Sequence, residues 1–238
     1  MQKRVVVVGA GPAGLFCSYL LLKKNFHVDL YDHSSGVGKK FLIAGNGGLN
    51  LTHSEDLKSF AARYGKDEQI FSELLKEFGP DDLRVFCSEL GVDTFVGSSG
   101  RVFPQKLKAA QILLNWIKVL KENPNFKLYL KHSLVDITKN KELVFKNPET
   151  KVAISADKVI LALGGTSWKK TGSDGEWKTL LDKFGVGTVA FRPMNCGFER
   201  PWSEHFINTV GRAPLKNVEV FFKDKSSRGE VMMTPYGL

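Results

Sequence analysis

Cysteine is scarce in this chain: Cys17, Cys87 and Cys196 are the only three among 238 residues, and they stand far apart. They form no C-x-x-C pair and their number is odd, so nothing supports a disulfide framework, a zinc site or a dithiol redox centre. Long apolar runs are lacking too, and no stretch approaches the roughly 20 residues that a membrane helix needs. The start, Met1-Gln2-Lys3-Arg4, is basic and Val5 to Val8 is apolar. That run is too short for a secretory signal and has no small-residue cleavage site before Gly9. A cytoplasmic protein with no membrane partner is expected. Low-complexity tracts and internal repeats are absent. With 42% hydrophobic residues, the composition is that of a chain with a sizeable core.

Positive charge is in excess. Lys and Arg number 34 against 25 Asp and Glu, a formal net charge of +9. Such an excess attracts nucleic acid, anionic lipid or phosphorylated ligands. The lysines are scattered in pairs, such as Lys23-Lys24, Lys39-Lys40 and Lys169-Lys170, with no long basic block. No aromatic signature of an RNA-binding module interleaves them. A small molecule is therefore the expected partner, and nucleic acid the less favoured one. The oligomeric state is not legible.

Arg4 to Val8 is a β-branched run ending at Gly9, the pattern of a parallel strand buried on both faces. Gly9-Ala10-Gly11-Pro12-Ala13-Gly14 follows, and then apolar residues at helical spacing from Leu15 to Leu22. His27 to Tyr31 reads as a second strand, closed by Asp32 and His33. A lone G-x-G-x-x-G is weak evidence, but here it has a strand before it, a helix after it and an acid beyond the next strand. Gly9 allows the tight turn, Gly11 lets backbone approach a pyrophosphate, and Gly14 lets the helix lie close to the sheet. The helix N-terminus, with Pro12 and Ala13 in its first turn, offers free N–H groups to phosphates. The Asp32 carboxylate can accept ribose hydroxyls and would repel a 2′-phosphate, which favours FAD or NAD over NADP.

Other candidates depend on this first motif. Residues 34–53 are rich in glycine, and Gly45, Asn46, Gly47 and Asn50 are candidates to approach a flavin or its ribityl chain; a mobile surface loop is the alternative. Lys40, in the pair Lys39-Lys40, is a candidate near the pyrophosphate, although ordinary solvated lysines fit as well. Ala162 and Gly164 end a buried strand, Lys158 to Leu163, and Gly172 and Asp174 precede a helix from Glu176 to Phe184. His53 and Arg101 are the available acid–base or anion-holding groups, each also readable as a plain surface residue. No catalytic residue is assigned. No Ser-His-Asp or metal-ligand spacing is present.

The rest of the chain predicts helices over 54–64 and 67–90, short strands at Val92–Val96 and Arg101–Phe103, and an amphipathic helix from Gln105 to Glu122. Phe126–Leu130 is a strand, followed by three closely spaced β segments that replace a crossover helix. Beyond Gly185 the pattern changes, with strands expected at Thr188–Pro193 and Asn217–Lys223 and little helix between. The expected fold is α/β: a Rossmann-like FAD-binding domain with a β-meander over residues 1–187, and the start of a β-rich insert domain over 188–238.

These residues resemble a known family, the bacterial NAD(P)/FAD-dependent oxidoreductases of the aminoacetone-oxidase-like type. The matching stretches are Gly9–Gly14, Gly38–His53, Gly100–Pro104, Ala162–Gly165 and Thr171–Gly175. The resemblance spans almost the whole chain. It implies FAD bound in a two-dinucleotide-binding-domain flavoprotein, with the backbone near Val135 holding the adenine. Family members are longer and return to the first domain with a Gly-Asp-type segment. That segment is missing from this sequence, so a truncated member or a fragment is expected. The expected function is an FAD-dependent oxidoreductase that moves a hydride between a small-molecule substrate and the flavin. With one dinucleotide fingerprint, NAD(P)H stays open only as a transient reductant. An RNA-modifying flavoprotein, which requires a continuous basic face beside the flavin, and a non-catalytic FAD-fold remnant are the alternatives.

Overall fold

The computed structural model describes residues 3–45, 48–192 and 197–238. Four consecutive valines with no polar break form the heart of β1 (Arg4–Val8). Gly9 ends the strand. α1 (Pro12–Lys23) then begins on Pro12, whose missing N–H would have no helical partner in that position anyway. β2 (His27–Tyr31) returns parallel to β1, with Val5 opposite Val28 and Val8 opposite Tyr31. The chain continues through α2 (Lys39–Ala44), a two-residue strand β3 (Thr52–His53), and the helices α3 (Leu57–Ala62), α4 (Glu68–Glu77) and α5 (Pro80–Glu89). β4 (Thr94–Val96) and β5 (Arg101–Pro104) pair antiparallel, and β5 also pairs with β3. α6 (Ala109–Glu122) leads to β6 (Phe126–Tyr129), which lies parallel to β2.

A three-stranded antiparallel meander follows: β7 (Ser133–Ile137), β8 (Leu143–Lys146) and β9 (Lys151–Ile154). It delivers the chain to β10 (Lys158–Leu161), which pairs parallel with the free side of β1. The sheet order is therefore β10-β1-β2-β6. This is the expected α/β fold, a Rossmann-like sheet whose last crossover is the meander. α7 (Lys178–Asp182), α8 (Glu204–Val210) and the hairpin of β11 (Ala213–Phe222) and β12 (Lys225–Met233) complete the elements. The chain divides into two compact units, Met1–Val189 and Ala190–Leu238. Among the described residues, no helix is long and apolar enough to cross a membrane.

Alternation along β1 serves two cores at once. Val5 and Val7 pack with Leu15, Leu30, Ile112 and Trp116 on the helical face. Val6 and Val8 pack with Tyr31, Leu143 and Phe145 on the meander face. Each fully buried valine stabilises the fold by roughly 1.5–3 kcal/mol. Below the meander, Tyr31 stacks between Tyr129 at 4.4 Å and Phe145 at 4.2 Å. Burial and the neighbouring phenol raise the Tyr31 hydroxyl above its ordinary range. The N-terminal end of the sheet is closed by a different device. Asp29, 2% exposed, takes an ion pair from Arg4 at 2.6 Å. The same guanidinium donates to the Ser155 carbonyl, and the Arg4 N–H donates to Asp157. One arginine thus ties β1, β2 and the approach to β10 together.

Several local expectations needed correction. Lys39–Ala44 lies in the glycine-rich stretch yet is helical, because it carries no glycine itself and is bracketed by Gly38 and Gly45. α6 starts at Ala109, four residues later than its periodicity predicts, since Leu107 turns to φ 54° and cannot continue a helix. Residues 188–192 belong to no strand among the described residues despite their β-branched content, and the Val189 carbonyl accepts from the Lys178 ammonium at 2.9 Å instead; Pro193 lies outside the described residues. α8 occurs where little helix was expected, capped by Ser203, whose hydroxyl accepts the Phe206 N–H. β12 is polar in sequence and is defined by pairing with β11 rather than by propensity.

Two measurements check this packing. Arg4→Met strands a buried carboxylate and is expected to lower stability by about 2–3 kcal/mol in urea unfolding, below the fully buried case because Arg4 is 40% exposed. Adding Asp29→Asn to it should recover part of the loss. Cys87 is 1% exposed and burial pushes its thiol up to about 11. As the sole thiol, in a Cys17→Ser/Cys196→Ser background, it should react with a thiol reagent at neutral pH only when denaturant unfolds the chain.

Candidate functional site

The C-terminal ends of β1, β2 and β10 open onto a cleft of about 520 Å³. In a parallel sheet this is where ligands are held, in the crevice beside the strand ends. The floor is Val8 and Gly9, from which α1 rises. Two close approaches set its depth. A Cβ on Gly14 would run into the Gly9 carbonyl, and a Cβ on Gly9 would run into the Ala162 carbonyl. Gly9 also sits at φ 107°, a conformation that L side chains rarely adopt. Gly11 is different. Its φ of −79° suits any residue, and an added Cβ would meet no atom within 4 Å. The same open space surrounds Gly36, which also lines the cleft. Room kept at both positions is a cradle that a side chain would fill. The first turn of α1 carries no acidic residue, so no side chain of its own offsets the partial positive charge of the helix N-terminus.

Asp32 stands at the end of β2, its side chain 12% exposed. One carboxylate oxygen accepts the Ala10 N–H and the other the Ser34 N–H, both at 2.7 Å. These bonds fix the carboxylate, and each oxygen retains a lone pair for a further donor. His33 packs its ring beside Gly172 and comes within 3.7 Å of Asp32. On the meander side, β7 carries a bulge. Leu134 pairs with Phe145 and Asp136 with Val144, leaving Val135 as the extra residue. A bulge residue is left out of the ladder, and Val135 lines the cleft. The opposite wall is built from the 164–180 segment. Ser173 donates its hydroxyl to the Leu163 carbonyl at 2.7 Å, and Trp177 donates its indole N–H to the Gly164 carbonyl at 3.0 Å. Lys183 reaches Asp136 at 2.7 Å and holds that carboxyl below its ordinary range, tying the two walls.

The cleft brings together most of the residues singled out in the sequence: Gly9, Gly11, Pro12, Asp32, His33 and Lys40, with Val135, Ala162, Gly164, Gly172 and Asp174. Gly14 and Ala13 belong to the same turn without walling the cleft, and Gly14 acts by packing. Gly45 lies against Ala109, and Asn50 is exposed away from the cleft wall. Asn46 and Gly47 lie outside the described residues. His53 and Arg101 face each other across β3 and β5, away from the cleft. Both His53 ring nitrogens are engaged, one with the Ser99 carbonyl and one accepting the Glu55 N–H. Sequence reasoning missed Ser34, His132 and Trp177, which also wall the cleft. None belongs to a glycine motif, and only the pairing of β6 with β2 brings His132 to the site. Among the described residues, no group of three or more His, Cys, Asp and Glu is placed to hold a metal ion.

The sequence profile described as the HI0933-like protein Rossmann domain matches residues 3–225. The chain belongs to this family. Curated relatives include a 3-dehydro-bile acid delta(4,6)-reductase of Clostridium scindens, 27% identical over 77% of this chain and 44% of its own length. Another is a ribosomal RNA dihydrouridine synthase of Haemophilus influenzae, 23% identical over 98% of this chain and 58% of its own. The chain spans about half the length of the curated relatives it matches. Among solved structures, the open conformation of a flavocytochrome c3 fumarate reductase aligns with TM-score 0.61, 18% identity, 91% of this chain and 47% of that one. That likeness is one of fold.

The two glycines make opposite predictions. Gly14→Ala should destabilise the fold by about 1–3 kcal/mol through overpacking, read as a lowered melting temperature. Gly11→Val should melt like the parent but lose dinucleotide binding, because its side chain fills the cradle and touches nothing else.

Proposed function

We propose that this chain holds FAD in the cleft and serves an oxidoreductase that moves a hydride between substrate and flavin. The observation that carries this reading is the conjunction around one crevice: an acid-free helix N-terminus, a fixed Asp32 with spare lone pairs, and the freed backbone of Val135. The first turn of α1, from Gly11 to Gly14, would take the pyrophosphate, with Lys40 nearby. Asp32 would accept the ribose hydroxyls and reject a 2′-phosphate. Val135 would meet the adenine edge with its backbone, and Leu134 and Trp177 would shield the ring system from water. Gly164, Gly172 and Asp174 would border the chain beyond the pyrophosphate. FAD supplies the two-electron chemistry, and the protein orients and insulates it. The flavoenzyme likenesses, and the resemblance to the aminoacetone-oxidase-like type, support the same reading. NAD(P)H is proposed as a transient reductant, since one dinucleotide fingerprint leaves no second nucleotide domain.

For the acceptor, a small molecule bearing a reducible double bond is the first reading, supported by the bile acid reductase among the relatives. A uridine in RNA is the second, favoured by a relative matched over 98% of the chain. Titration with FAD is expected to give one flavin per chain, with Asp32→Ala weakening it about tenfold or more, in line with loss of charge-assisted hydrogen bonds. Anaerobic NADH or NADPH should bleach the bound flavin. Reoxidation by an enone, or by ribosomal RNA with dihydrouridine appearing in its digest, separates the two acceptors. A chain that binds no FAD overturns the proposal.

A further inference from the structure

One aromatic at the rim of the cleft is placed against its own preference. Trp168 is 70% exposed, and its backbone sits at φ 57° and ψ 59°. A bulky residue holds that left-handed conformation only where the surroundings impose it. The imposing contact is Thr171, a buried residue that lines the cleft: its N–H and its hydroxyl both donate to the Trp168 carbonyl, at 2.8 and 2.7 Å. The turn that fixes the cleft wall therefore also sets an indole out into water. Lys169 and Lys170 follow in the same turn, both exposed. Ser167, on the other side of Trp168, lies 3.5 Å from the Lys40 ammonium. Two lysine pairs that are far apart in the sequence, Lys39-Lys40 and Lys169-Lys170, thus meet at one rim with the indole.

We propose that Trp168 is a stacking platform for a base of single-stranded RNA, with Lys169 and Lys170 holding the adjoining phosphates at the mouth of the cleft. The inference rests on the second acceptor reading above, a uridine in RNA reduced at the flavin. A flat exposed ring beside cations fits a nucleic acid strand, which offers π-faces and phosphates at alternating positions. An anionic membrane would use the lysines but calls for a broader apolar face than one indole. Asp174 and Glu176, both exposed, also line the cleft.

The test uses the full chain and a fluorescein-labelled short oligouridylate, followed by anisotropy between about 50 and about 200 mM salt. The parent chain should bind, with affinity falling as salt rises. Trp168→Ala should weaken binding about five- to a hundredfold, and Trp168→Phe should restore most of it. Lys169→Ala/Lys170→Ala should flatten the log–log salt slope by roughly 0.7 for each phosphate that the lysines no longer neutralise. FAD titrations of these variants should match the parent. Equal oligouridylate affinity in Trp168→Ala and the parent overturns the inference. So does preference for anionic phospholipid vesicles over oligouridylate, or joint loss of FAD and oligouridylate in Trp168→Ala, which would give the indole to the cofactor. A parent that binds FAD but no oligouridylate sinks this inference alone. A parent that binds oligouridylate through Trp168 but no FAD supports it and sinks the flavin reading.

Discussion

The first unit depends on how closely α1 can descend onto the sheet. Gly14 lies against the Gly9 carbonyl, and Gly9 lies against the Ala162 carbonyl. Three backbone segments from β1, α1 and the end of β10 meet with no side chain between them. That contact sets the height of the helix N-terminus above the strand ends, and so the depth of the cleft. A Cβ at Gly14 would lift the helix away from β1, whereas one at Gly9 would push against the backbone that follows β10.

Much of this was legible along the chain, for stated reasons. The β1–α1–β2 unit is a local pattern in which strand, turn, helix and acid all point to the same structure, and such agreement across levels is what makes a segment readable. The meander was readable because its connectors are turn-like and its strands are short. The rest depended on partners far away in sequence. β12 is a strand because β11 lies beside it, and at Val189 the carbonyl accepts from the Lys178 ammonium instead of a strand. Leu107 breaks the start of α6 by accepting the Leu49 N–H, a contact that no window of sequence contains.

The site divides along the same line. Its floor came from glycines whose spacing is diagnostic. Its walls came from topology: His132 and Val135 arrive because β6 adds to β2, and Trp177 because its indole is anchored on the carbonyl of Gly164. Gly45 packs against Ala109 rather than lining the cleft. Glycine counting alone fell short at Gly36, where empty space rather than backbone freedom explains the residue.

The bulge at Val135 has a consequence for how the chain can change. Leu134 and Ile137 both pack into the meander core although they stand three positions apart, an odd spacing that a regular strand would send to opposite faces. The inserted residue corrects the phase. At this length, returning Val135 to the ladder would turn Ile137 outward. The frame of the strand thus carries two duties on one residue, and Val135 at the cleft cannot rejoin the ladder while the length and the hydrophobic phase of the meander are kept.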